Sequence, residues 1–178
     1  MKILGIGGTL RKGSYSRALL LEAQKLAPEG IVIELTDIGD FPLYNPDIVL
    51  PDNVQKFKKD IEEADAVLFS TAEYNYSIPG SLKNAIDWAS RPYGNNSWEE
   101  KPAAIMSESM GMLGGIKAQL HLRQIMLAIN VYFLNRPEVI VPNVKEKFDD
   151  EGNLIDEHTK EKIKELLEAL IKWVEKIK

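Results

Sequence analysis

From Gly7 to Arg17 the chain reads Gly7-Gly8-Thr9-Leu10-Arg11-Lys12-Gly13-Ser14-Tyr15-Ser16-Arg17, which brings glycines together with four hydroxyls and three cations. Glycines let main-chain N–H groups close on an anion, and a helix beginning just beyond adds unpaired donors and a partial positive charge. Ser14 and Ser16 contribute hydroxyl donors, and Arg11 a planar cation. This chemistry suits a doubly charged phosphate. Two standard phosphate motifs are not met. Gly8 and Gly13 keep the Walker A gap, but Ser14 stands where the lysine belongs. The dinucleotide fingerprint starts at Gly5 and Gly7 and then meets Leu10 instead of glycine. The same residues also suit a structural role, with Ser14 or Ser16 capping a helix over a turn.

A second stretch, Thr71-Ala72-Glu73-Tyr74-Asn75-Tyr76-Ser77-Ile78-Pro79-Gly80, gathers two tyrosines, an amide and a carboxylate. Flat aromatic ligands need stacking surfaces and main-chain polar groups with few side-chain charges. The stretch also reads as a capped turn, in which Ser77 or Asn75 starts a helix and Pro79 lies in its first turn. The two readings are compatible, because a tight turn aims N–H groups at a ring edge.

The elements that must position these loops follow from hydrophobic periodicity. Buried strands are expected at 3–6, 31–35, 66–70 and 102–106. A fifth is expected over 131–134 and 139–141, with a break around Arg136-Pro137. Helical spacing is expected from Ser16 to Leu26, from Val54 to Ala64, after Pro79 to Ala89, up to Ile129 after a glycine-bearing loop at 107–115, and from Ile163 to Ile177. The regions 37–52 and 91–101 read as irregular, and 148–153 as an acidic turn. Strand and helix alternate with no repeat and no long linker, so one domain over 1–178 is expected, an α/β doubly wound parallel sheet of five strands in the order 2-1-3-4-5. The first and third strands flank the point where the winding reverses, and the two loops above leave their carboxyl ends.

Composition narrows the chemistry. The chain of 178 residues contains no cysteine and two histidines, His121 and His158. Disulfides, thiolate iron–sulfur clusters and a cysteine nucleophile are therefore excluded, and the histidines are too scattered for a zinc site. The formal net charge of −5 and the lack of a basic stripe argue against nucleic acid. No apolar run approaches a membrane span, and the amino-terminal run is too short for a signal-peptide core; a cytoplasmic protein is expected. His121 reads as a partly exposed helix residue and His158 as a surface one. Trp88 reads as core or subunit contact, and Trp98, in the turn-rich segment, as a subunit contact. Redox chemistry in this chain would require a bound organic cofactor.

The first loop together with Glu73-Tyr74-Asn75-Tyr76-Ser77-Ile78-Pro79-Gly80-Ser81-Leu82-Lys83-Asn84-Ala85-Ile86-Asp87-Trp88 resembles the NADPH-dependent FMN reductase family, which includes quinone, azo-dye and chromate reductases. The similarity extends to about Pro142. The resemblance implies a flavodoxin-like fold. It implies an FMN phosphate held by Thr9, Arg11, Ser14 and Ser16, with Tyr15 alongside, and the isoalloxazine against Ala72, Glu73, Tyr74, Asn75 and Tyr76. It also implies a covering loop at 107–111, from which Ser109 and Gly111 reach the cofactor. NADPH or NADH would be the co-substrate, and hydride would pass in ping-pong fashion to a flavin, quinone, azo or metal-ion acceptor. No catalytic acid, base or metal is implied. A homodimer or homotetramer is expected, with the helix at 81–89 near the interface. The chain departs from the family at Ala72, where proline is usual, and at Met110, where a small residue or proline is common. Lys117 and Leu120 stand where tetrameric relatives carry arginine and tyrosine. A flavodoxin-type electron carrier or a non-enzymatic flavin-binding sensor would share such a site.

Overall fold

In the computed structural model, which describes residues 1–177, the six strands are β1 (Lys2–Gly7), β2 (Val32–Thr36), β3 (Ala66–Ala72), β4 (Pro102–Glu108), β5 (Tyr132–Phe133) and β6 (Val139–Val141). The helices are α1 (Tyr15–Leu26), α2 (Asp52–Glu63), α3 (Gly80–Ala89), α4 (Ile116–Leu127) and α5 (Glu157–Ile177). All strand pairs are parallel, in the order β2-β1-β3-β4-β5, and β6 also pairs with β4. The expected fifth strand is present in two pieces. Tyr132 and Phe133 lie opposite Pro102 and Ala103, and Val139 to Val141 lie opposite Met106 to Glu108. Pro137 falls between the pieces, where its missing N–H cannot serve a ladder.

Side chains alternate across the sheet with period two. Leu4, Ile6, Val67 and Phe69 face α2, α3 and α4, where they pack with Phe57, Leu82, Ile86 and Leu122. Ile3, Ala66, Leu68 and Ala104 face α1 and α5, where they meet Leu19, Ala23, Leu166 and Leu170. Every residue of β3 and β4 is buried, and 66–69 and 102–106 read as continuous apolar runs instead of alternating ones.

Trp98 corrects one expectation. It is 1% exposed, packs against Phe57 and Phe69, and donates its indole N–H to the Ile86 carbonyl at 3.1 Å. It is a core residue and not a subunit contact, because the turn-rich segment folds back over the sheet. Lys58 helps to hold that segment. Its buried ammonium donates to the carbonyls of Ala89, Arg91 and Asn95, and burial lowers its pKa. Trp88 is also core: its indole donates to the Pro42 carbonyl and its ring meets Tyr44 edge-on.

β1 and β3 are neighbours whose connections leave in opposite directions, to β2 on one side and β4 on the other. This is the switch point at which the loops after the two strands part and leave a crevice.

Candidate functional site

The loop after β1 is tied down at its start. The Gly8 N–H donates to the Ser70 carbonyl, and its own carbonyl accepts from the Ser81 hydroxyl at the start of α3. A Cβ at Gly8 would lie 2.9 Å from Thr71 Oγ1, so the close approach of this loop to β3 requires glycine. Ser14 precedes α1 in extended conformation, and its Oγ accepts the Arg17 N–H at 3.2 Å. It is therefore the helix cap, and the capping reading of this residue holds. The N–H groups of Arg17 and Ala18 are both taken by Ser14, so what the start of α1 offers the crevice is its partial positive charge. Arg11 donates to the Gly13 carbonyl and lies 5.9 Å from the Tyr15 ring centre. Thr9 Oγ1 is buried and has no hydrogen-bond partner.

The loop after β3 forms a two-residue turn. Tyr74 and Ser77 exchange main-chain hydrogen bonds of 2.9 and 3.0 Å across Asn75 and Tyr76, which both have positive φ. That pair of left-handed residues defines a type I′ turn. The helix that follows is preceded by Pro79 alone, so neither Asn75 nor Ser77 caps it. Tyr74 is 52% exposed at the crevice. Tyr76 is exposed as well, but Lys117 Nζ covers one face of its ring at 3.1 Å from the centre. Glu73 turns away from solvent: Oε2 accepts the N–H groups of Lys117 and Ala118 at 3.1 and 3.3 Å. It thus supplies from another element the cap that Gly115, the residue before α4, cannot. His121, exposed on α4, is joined to Ser77 Oγ at 2.7 Å.

The third loop begins later than its sequence suggests. β4 continues through Ser107 and Glu108, because Thr71 and Ala72 pair with them on one side and Ile140 and Val141 on the other. Gly115 has a positive φ and packs against the backbone of Glu108, where a Cβ would meet the carbonyl at 2.9 Å. The loop is clamped to the segment after β6: Asn143 N–H donates to the Gly111 carbonyl, and Val144 N–H to the Ser109 carbonyl. This clamp brings Lys145, in the 3-10 turn Val144–Lys147, to the crevice.

These three loops enclose a cleft of about 550 Å³, a size suited to a cofactor. Of the expected site residues, Thr9, Arg11, Ser14, Tyr15, Ala72, Glu73, Tyr74 and Ser109 line it. Ser16, Asn75, Tyr76 and Gly111 do not. Ser16 is fully buried, and its hydroxyl is spent on Glu108 Oε1 at 2.9 Å. Three lining residues were not among those expected to bind the cofactor: Glu108, Met110 and Lys145. Burial pushes the Glu108 carboxyl above its ordinary pKa, while the Ser16 hydroxyl and the Arg11 charge pull it down. Lys145 carries no motif and could be found only through the fold. Among the described residues no cluster of histidine and carboxylate could hold a metal.

The residues fit FMN on two counts. Thr9 Oγ1 is an orphaned polar atom beside a cation and a helix start, and the tyrosine-bearing turn borders the same cleft.

The profile of the family described as NADPH-dependent FMN reductase matches residues 1–146. An NAD(P)H-dependent FMN reductase of Pseudomonas aeruginosa is 48% identical over 181 residues, covering 100% of this chain and 97% of that protein. An NAD(P)H:quinone oxidoreductase of Solanum tuberosum is 45% identical over 179 residues, covering 96% and 91%. Among solved structures, FerB, a flavoenzyme NAD(P)H:(acceptor) oxidoreductase from Paracoccus denitrificans, superposes with a TM-score of 0.90 at 40% identity, covering 98% of this chain and 97% of that one. With its flavodoxin-like sheet and its cleft at the switch point, the chain belongs to the NADPH-dependent FMN reductase family of oxidoreductases.

Proposed function

We propose that this chain is an FMN-dependent NAD(P)H oxidoreductase whose acceptor is a quinone. The observation that carries the reading is the cleft itself, which offers the unpartnered Thr9 Oγ1 at the loop after β1 and the half-exposed Tyr74 ring at the loop after β3. Bound there, FMN supplies the relay that takes a hydride from a nicotinamide and hands it to a second substrate. Thr9 and Arg11 hold the phosphate beside the positive start of α1, with Lys145 adding charge from another wall of the cleft. Tyr74 offers a stacking surface on the wall of the cleft. Met110, 62% exposed, overhangs the cleft mouth and limits the shape of acceptor that can enter. The quinone assignment draws on the Solanum relative's name.

A homo-oligomer is supported by exposed apolar side chains near α3. Leu43, Val49 and Tyr93 are 84%, 90% and 95% exposed, on the segments that meet at Trp88. A cytoplasmic location is supported by the co-substrate, since nicotinamide nucleotides are made and recycled inside cells. Among the described residues no helix is long and apolar enough to cross a membrane.

The test is steady-state oxidation of NADPH and NADH by the purified, FMN-loaded protein with and without a benzoquinone. Fast turnover that requires the quinone is expected. Negligible oxidation without an added reductase would instead indicate an electron carrier and refute the assignment.

A further inference from the structure

The cleft contains an acidic group that the flavin reading leaves unused. Glu108 closes β4, is 6% exposed, and faces the start of α1. Its Oε1 accepts the Ser16 hydroxyl at 2.9 Å, and the Ser16 main-chain N–H acts on the same carboxylate. A hydroxyl and an N–H in the first turn of a helix are the donors an anion takes. An anionic side chain already sits on them.

The charged and titratable groups around it are few. Arg11 reaches it from the loop after β1, and Tyr15 comes from α1. Glu73 and Tyr74 come from the loop after β3, and Lys145 from the 3-10 turn after β6. Arg11 acts on Glu108 through space, but its guanidinium is exposed and bonded to the Gly13 carbonyl, so solvent screens much of its charge. Glu73 is committed to α4. The carboxylate therefore has no strong, dry counter-cation. A phosphate dianion brought beside this buried carboxylate would place like charges together, which favours neutralising the buried one.

We propose that Glu108, which lines the cleft and holds the buried Ser16 hydroxyl, stays in place when FMN enters, and that FMN is taken up together with one proton from solvent, which Glu108 keeps as a neutral acid beside the phosphate. The proposal rests on the assignment of this cleft to FMN. Burial already favours the protonated acid. Above the free group's titration, each FMN bound draws one proton, so affinity falls by up to about tenfold per pH unit. The second ionisation of the FMN phosphate, near pH 6, works in the opposite direction. Comparison with E108Q, which cannot ionise, removes that contribution.

The experiment uses the full chain stripped of flavin. Dissociation constants for FMN and riboflavin are read from fluorescence quenching between pH 5.5 and pH 8.5 for the parent and E108Q. FMN binding heats of the parent are read in two buffers of different ionisation enthalpy. The expected result is FMN affinity tighter in E108Q than in the parent by a ratio that grows with pH, by up to about tenfold per unit above the free group's titration, with riboflavin affinities equal throughout. The parent should take up close to one proton at pH 8. A parent-to-variant ratio that does not change with pH overturns the proposal, as does FMN binding without proton uptake. Should E108Q fail to fold, the parent's buffer-dependent heats decide alone. If the parent binds FMN no better than riboflavin at every pH, the phosphate assignment itself fails, a different result from a pH-independent ratio.

Discussion

Replacing Glu73 by alanine should loosen the flavin cleft and α4 together. One carboxylate oxygen accepts two main-chain N–H groups there, at 3.1 and 3.3 Å, and α4 has only Gly115 ahead of it. Loss of a helix cap costs about 1 kcal/mol, and loss of an anion from a helix start about 0.3–1 kcal/mol. The sum is about 1.3–2 kcal/mol, an upper bound because Glu73 is half-buried and water can partly replace the lost acceptor. For a chain of this size that corresponds to roughly 3–8 °C in Tm. Glu73→Gln keeps an acceptor oxygen and loses only the charge, so it should fall by less than half as much. The assay is thermal unfolding of flavin-free protein followed by far-UV circular dichroism. A Glu73→Ala variant that melts within a degree of the parent would refute the capping role. A Glu73→Gln variant as weak as Glu73→Ala would show that charge matters and the acceptor does not.

Arg11→Ala should weaken FMN by about 1.5–3 kcal/mol, the scale of a hydrogen bond to a charged group, and leave riboflavin nearly unchanged; fluorescence titration with both ligands checks this. Trp98→Ala should cost about 3–5 kcal/mol in urea unfolding, because a fully buried indole and its hydrogen bond to Ile86 are lost from the centre of one sheet face. Asp156 accepts from Thr159 and Lys147 ahead of α5, with Lys147 the larger influence, and its pKa is lowered to about 2. Its folded pKa lies below its ordinary value, so its contribution is present above about pH 4 and is lost as pH falls through 2. Asp156→Ala should therefore melt below the parent at pH 6, and the gap should narrow steadily as pH falls from 4 through 2.

The parts of this molecule that could be read in the sequence are those whose cause is local. Continuous apolar runs such as Val67-Leu68-Phe69 mark buried parallel strands, and the spacing of Ile163, Leu166, Leu167 and Leu170 marks the face of α5. The loop from Gly7 to Arg17 declares its chemistry because glycines, hydroxyls and cations crowd into one short stretch. What could not be read depends on contacts between distant segments. β4 reaches Glu108 because Ala72 and Val141 pair with it from either side, so a residue expected in a loop becomes a buried wall of the cleft. Lys145 arrives through the clamp between Asn143 and Gly111. Ser16 suits a phosphate by type, but only the packing of β4 against α1 shows that Glu108 holds its hydroxyl. Trp98 looks like a surface residue in a turn-rich segment until that segment is seen folded over Phe57 and Phe69.

The seating of FMN on the loop after β1 can be seen directly in a crystal structure of the chain grown with FMN. Phosphate oxygens are expected within hydrogen-bonding distance of Thr9 Oγ1 and the Arg11 guanidinium, with the isoalloxazine against the Tyr74 turn. Density for FMN with its phosphate away from the loop after β1, or bound at another surface, would contradict this seating.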